Sequence, residues 1–236
     1  VQSLVPDLLW TEAEPLRVLG LPLGRRVTVV RGDSGRLVVF SPLRPTEANF
    51  AALRSLGDVG VFVVTNLVHD LWFDGWFGAF PEARFVADDV VRAGHPGWPL
   101  TRLEAGDPTL AGLEFRLLDG MPRVRETVFL HRATRTLVVT DALFNLTVPA
   151  RGPGRWLLAA AGMAHPPGPS RLFRWAIRSR ARFEASVRGV LGWDFDRIMV
   201  GHGGVVEREG REVWARAFAY RTERRGRLHE RGGFVT

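Results

Sequence analysis

The chain contains no cysteine, no lysine and a single tyrosine. Without thiols there is no cysteine nucleophile, no disulfide and no thiolate-held zinc, so any metal ion must be held by His, Asp, Glu or Asn. Without lysine there is no Gly-Lys-Ser/Thr phosphate loop. All 32 basic residues are therefore arginine, and the formal net charge is +7. Such a charge suits a polyanionic partner, but coding bias towards GC-rich codons accounts for arginine in place of lysine equally well. A nucleic-acid binding or processing role therefore stands as the lesser alternative. Long apolar runs are also missing: no stretch approaches the roughly 20 residues of a membrane-spanning helix, and the opening VQSLVPDLLW lacks the basic start and apolar middle of a secretion signal. No membrane span and a cytoplasmic location are expected.

What is present describes an ordinary globular chain, 46% hydrophobic and 24% charged over 236 residues. One domain spanning 1–236 is expected, with an Arg-rich helical segment at about 151–191. RVTVVRGDSGRLVVF (26–40) reads as a β-hairpin around Gly-Asp-Ser-Gly. The same four residues resemble the nucleophile motif of trypsin-like proteases, but that arrangement needs an upstream histidine and none precedes His69. Residues 45–56 have helical spacing. GDVGVFVVT (57–65) is a continuous apolar run, as in a strand buried on both faces. LWFDGWFGAF (71–80) suits a short buried helix, in which Trp72, Phe73 and Trp76 either line a pocket or fill the core.

ARFVA (83–87) reads as a further strand, 90–109 as irregular, and 113–120 and 126–144 as strand and hairpin, turning at Ala133 and Thr134. SRLFRWAIRSRARFEASVRGVL (170–191) has helical periodicity. Arg171, Arg174, Arg178 and Arg182 fall along one stripe, and Leu172, Ala176, Phe183, Val187 and Val190 along another. The arginines read as a solvated face or as a phosphate- or lipid-binding stripe. WDFDRIMVGHGG (193–204) ends a strand in Gly-His-Gly-Gly, and 207–222 suits a last helix.

Three apolar runs end alike. VFVVT leads to Asn66, His69 and Asp70, TLVVT leads to Asp141, and RIMV leads to His202. If these strands share a sheet and direction, their ends converge, and a set of carboxylate oxygen and imidazole nitrogen suits Zn, Fe or Mn. Gly201, Gly203 and Gly204 let the backbone turn and leave the His202 ring uncrowded. The other reading of each ending is structural: His202 in a tight turn, His69 under a loop, and Asp70 capping the next helix. His95, His165 and His229 read as loop or tail residues, and His131 is held in reserve.

This order of motifs, and above all VVTDALF and GHGG, resembles the metallo-β-lactamase-like fold superfamily over most of the chain. LLWTEAEPLRVLGLPLGRRVTVVRGDSGRLVVFSP, TNLVHDLW and FLHRATRTLVVTDALFN further resemble a branch of it known only as a domain of unknown function. The resemblance implies an α/β fold, an αββα sandwich of two mixed β-sheets flanked by helices, with metal ligands on loops at one edge. The superfamily's His-x-His-x-Asp-His motif falls on NLVHDL and sets Asn66, Val68, Asp70 and Leu71 at its ligand positions, of which Asp70 alone is retained. Met121 stands where a further His is expected, and Asp141 and His202 match the bridging carboxylate and the final His.

A degenerate ligand set of this kind implies a mononuclear site at most. His69, Asp70, Asp141 and His202 are its candidate metal ligands, Asp70 orients the nucleophile, and Asn66 supports from behind. The functional expectation is a metal-dependent hydrolase using one divalent ion, Zn, Fe or Mn, on an unidentified small molecule. The alternative is an inactive binding or scaffolding module with no ion at all.

Overall fold

The computed structural model describes residues 1–147 and 152–222. Its elements in chain order are β1 (Gln2–Val5), β2 (Leu9–Glu14), β3 (Arg17–Val18), β4 (Leu21–Pro22), β5 (Arg25–Arg31), β6 (Leu37–Phe40), α1 (Glu47–Leu56), β7 (Val59–Val63), α2 (Asp74–Phe77), β8 (Arg84–Ala87), α3 (Asp89–Gly94) and β9 (Leu100–Arg102). They continue with β10 (Leu113–Leu117), β11 (Thr127–His131), β12 (Thr136–Val138), α4 (Pro153–Ala160), α5 (Arg171–Ala176), α6 (Arg180–Leu191), β13 (Arg197–Met199) and α7 (Gly210–Thr222).

One sheet has seven strands in the order β1-β2-β5-β6-β7-β8-β9, antiparallel as far as β6 and parallel beyond it. The other has four, β10-β11-β12-β13, with only the last pair parallel. The continuous apolar runs follow from the layering, because a strand covered on both faces buries both of its alternating side-chain sets. Along β11 to β13, Phe129, Val138 and Met199 meet Val30, Val61 and Val63 of the facing sheet. Their neighbours Val128, Leu137 and Ile198 pack instead beneath Phe183, Val187 and Trp214 of α6 and α7. On the opposite side Leu53, Trp76 and Val91 of α1, α2 and α3 cover Val29, Phe62 and Phe85. The layers are therefore helix, sheet, sheet, helix.

Several elements differ from the reading of the sequence. The segment 170–191 is two helices, because the Gly120 carbonyl accepts the backbone N–H groups of both Arg178 and Ser179 and draws the chain out of helical geometry between them. The arginines consequently do not form one stripe: Arg182 pairs with Asp119 at 3.2 Å, while Arg178 lies over the Trp175 ring. Leu172, assigned to the apolar stripe, is exposed. The stretch 90–109 contains most of α3, whose Asp88 cap accepts from the N–H groups of Val90 and Val91, and the edge strand β9. Four short N-terminal strands, β1 to β4, were not apparent in the sequence pattern. His229 lies outside the described residues. No described helix is long and apolar enough to cross a membrane.

Candidate metal centre

Strand β7 belongs to the larger sheet, whereas β12 and β13 belong to the smaller, so the three strand ends do not share one sheet as expected. They meet because the two sheets abut: Thr65 beyond β7 and Thr140 beyond β12 join through their hydroxyls at 3.0 Å, and the Thr65 carbonyl accepts the N–H of Thr127. Among the described residues, one group of side chains could hold a metal ion. It comprises His69, Asp141 and His202, which offer one donor atom each, all within 4.8 Å of one another.

Each is held by a named contact. His202 donates its Nδ1–H to the Gly24 carbonyl at 2.6 Å, and its Nε2 lies 3.3 Å from Asp141 Oδ1. Phe144 stacks flat on its ring. His69 Nε2 meets the Ser41 hydroxyl at 2.5 Å and its Nδ1 lies 3.6 Å from Asp141 Oδ2. Asn66, fully buried, spends its whole amide here: Nδ2 donates to Asp141 Oδ2 and Thr140 Oγ1, and Oδ1 accepts from the N–H of Val68. It supports Asp141 from behind.

The glycines of GHGG act on a different ring from the one expected. A Cβ on Gly201 would come 2.8 Å from Cε1 of His69, and Gly203, at φ +94°, passes against the Asn145 carbonyl. They make room for His69 and for the 145–146 segment rather than for His202.

Burial and the nearby Arg25 charge hold His69 down to about 4, against the pull of Asp141, so its imidazole is neutral at pH 7. Burial alone would raise the Asp141 carboxyl, but the His69 and His202 imidazoles outweigh it and keep the group well below the usual carboxylate range. A neutral imidazole at His69 and an ionised carboxylate at Asp141 are protonation states that suit a bound cation. The donor set is therefore chemically fit for one ion, with room for an open position.

Asp70 is not in this group. Its carboxylate lies 3.2 Å from His95 Nε2, and α2 is entered through Phe73 with no side-chain cap, so neither the ligand nor the capping role read from sequence describes its contacts. His69 and Asp70 are chain neighbours that diverge at the loop. Val68 and Leu71 are largely exposed, and Met121 is buried in the core with Leu118 and Val124. His131 ties Thr134 to the Arg31 carbonyl, away from the site. Phe73 and Trp76 are core residues, and Trp72 is held between the guanidinium groups of Arg25 and Arg44.

Two site residues were not anticipated. Arg25, buried at the start of β5, donates Nε–H to the Pro42 carbonyl, while its buried Nη2 has no hydrogen-bond partner. Burial lowers it to about 10, opposed chiefly by Asp141, so it stays charged at pH 7. No local pattern marks Arg25 apart from Arg26. Glu126 is completely buried and accepts the backbone N–H groups of Thr140 and Asp141, one on each oxygen. Its signal was available: a lone acid heading the apolar run ETVFL.

Glu126 is pushed up to about 8 by burial and by the Asp141 charge, against its two N–H donors. The folded state thus keeps a proton that the unfolded chain releases near 4.5. The stability this supplies is complete below 4.5 and is lost as pH rises through about 8. His69 and His131 are lowered from 6.5 and act only on the acid side of that value. Chelator-treated protein should therefore lose about 2 kcal/mol of stability between pH 6.5 and 8 in urea titrations. A flat profile there would show that Glu126 is ionised in the fold.

The three donors and Arg25 lie along a cavity of about 580 Å³ whose remaining walls are almost wholly apolar, among them Leu21, Leu23, Val124, Phe144, Met163 and Phe173.

No model of a known protein family matches the chain, and neither does any curated protein. Solved structures do. The DIM-1 metallo-β-lactamase matches at 12% identity and a TM-score of 0.63, over 93% of this chain and 95% of that one. A metallo-β-lactamase from Pontibacter korlensis matches at 12% and 0.64, over 93% and 97%. The FIM-1 metallo-β-lactamase from Pseudomonas aeruginosa, in its mono-zinc form, matches at 11% and 0.61, over 92% and 93%. At such identities the likeness speaks for architecture alone, and the architecture is the metallo-β-lactamase-like fold.

Proposed function

We propose that this chain, built on the metallo-β-lactamase-like fold, is a metal-dependent hydrolase with a single ion held by His69, Asp141 and His202. The observation that carries this reading is the convergence of those three donors at the floor of an apolar cavity. A second ion finds no support, since Asn66 is spent on Asp141, Met121 lies in the core, and Val68 and Leu71 offer no donor. Zn, Fe and Mn all suit an N, O, N set.

A divalent ion bound there supplies Lewis acidity and lowers the pKa of water, the chemistry of ester, thioester, amide or phosphodiester hydrolysis. The chain's own residues do the rest. His202, fixed by Gly24, and His69, fixed by Ser41, hold their donor atoms in place, and Asn66 fixes the carboxylate between them. Arg25, charged and lining the cavity, stands ready for negative charge developing on a substrate oxygen. The apolar walls exclude water and accept a substrate with an apolar body. Asp70, engaged with His95, is not assigned a part in orienting the nucleophile.

The test is metal uptake by chelator-stripped, tag-free protein, followed by hydrolysis of nitrophenyl esters and thioesters of increasing acyl length. Uptake near one Zn, Mn or Fe per chain, with activity that grows with acyl length, is expected. If the protein takes up none of these metals, the reading fails and the cavity belongs to a binding module.

A further inference from the structure

The described residues include ten large apolar side chains that are exposed, and they are not scattered. Six of them, Val18, Leu19, Val68, Leu71, Leu172 and Trp175, line the cavity that holds the candidate metal centre. Trp156 and Leu157 are exposed on α4, whose Leu158 packs with Leu21 and Leu23 of the same wall. Val1 and Val90 are not among the residues lining the cavity. Isolated exposed apolar groups are ordinary on a protein surface, but a contiguous set around a cavity mouth marks something that covers it.

The most exposed of them is Leu19, at 97%, on the tip of the β3–β4 hairpin. It has a positive φ of 49°, a conformation that disfavours a branched apolar side chain and favours Asn or Gly. Its side chain is thus displayed to solvent at a strained position, where packing within the fold gives no reason for leucine.

Arginine supplies most of the charge among the residues that line this cavity. Arg171 lines it, and the guanidinium groups of Arg123 and Arg178 lie 5.1 and 4.7 Å from the Trp175 ring centroid. The only acid among the lining residues is Asp141, at the floor. Leucine and tryptophan ringed by arginine have the chemistry of an interfacial anchor, in which apolar side chains enter the acyl boundary and arginines meet lipid phosphates. A second copy of the chain is the poorer occupant, because a two-fold contact would set this arginine-rich rim against itself.

We propose that the cavity mouth docks on an anionic lipid bilayer, so that the cavity opens towards the membrane surface. Docking of this kind needs no metal ion, so its test, run in chelator, stands or falls apart from the hydrolase reading.

The experiment is co-sedimentation of the full chain with phosphatidylcholine vesicles, and with vesicles in which about one-third of the lipid is phosphatidylglycerol. The expected result is binding to the anionic vesicles that weakens with added salt, a blue shift of tryptophan emission, and only weak binding to phosphatidylcholine alone. Leu19→Asp with Leu172→Asp should weaken binding by about tenfold or more. Because both positions are exposed, the fold should persist, which near-UV circular dichroism checks. Arg171→Glu with Arg178→Glu should abolish the preference for anionic lipid, and Val90→Asp, outside the lining residues, should bind as wild type. The proposal is overturned if wild type stays in the supernatant with both vesicles, or if the Leu19/Leu172 variant binds as wild type does. It is equally overturned if sedimentation equilibrium shows a dimer that the same variant dissociates, since the face would then belong to a second copy.

Discussion

Asp141→Asn is expected to weaken metal uptake by more than about a hundredfold and to remove hydrolytic activity with it, while the protein remains folded. The geometry separates these two consequences. Asp141 Oδ2 accepts from Asn66, so an asparagine would keep its carbonyl oxygen there and turn its NH₂ towards His202. In the neutral tautomer of His202 that keeps its Nδ1–H on Gly24, Nε2 accepts that NH₂. Hydrogen bonding therefore survives the substitution, but the negative charge and one donor oxygen do not. Calorimetric titration with Zn and Mn, beside thermal melts with and without metal, reads both effects. Unchanged uptake would mean that the ion binds elsewhere and that the His69, Asp141 and His202 assembly is only a polar staple between sheets.

Glu126→Ala should produce the largest loss of stability. It leaves the N–H groups of Thr140 and Asp141 buried without an acceptor, at about 1 to 3 kcal/mol each, and opens a small cavity beneath the site. A loss of about 4 kcal/mol follows, or a fall in Tm of about 10 °C for a chain of this size. Glu126→Gln should cost about half as much, since one oxygen still accepts while the NH₂ group faces the other N–H. Urea denaturation of the chelator-treated proteins measures both. If alanine costs less than about 1 kcal/mol, water reaches the two N–H groups and Glu126 does not anchor the Asp141 turn.

Much of the architecture was legible because it rests on local chemistry. Gly-Asp-Ser-Gly between valine runs joins β5 to β6 whatever the rest of the chain does, and a run such as Val-Gly-Val-Phe-Val has both faces apolar because both are covered. The failures had local signals that pointed the other way. The helical spacing of 170–191 does not reveal that Gly120, some sixty residues earlier, captures two N–H groups in its middle. The weak alternation of β1 and β2 hides an edge hairpin stabilised by its neighbour β5.

By itself the sequence determined the chemistry available: no thiol, no lysine, apolar runs that must be covered on two sides, and His or Asp at three strand exits. Only the tertiary structure decided which of these groups act together. His69 and Asp70 are adjacent, yet one turns inward to Asp141 and the other outward to His95. Arg25 and Glu126 looked like an ordinary strand arginine and a strand-end acid, yet they stand beside and beneath the same carboxylate. The physical reason is that side-chain type and backbone propensity act over a few residues, whereas a site is assembled across the contact of two sheets. There, burial and through-space charge, neither visible along the chain, set which groups meet and in what protonation state.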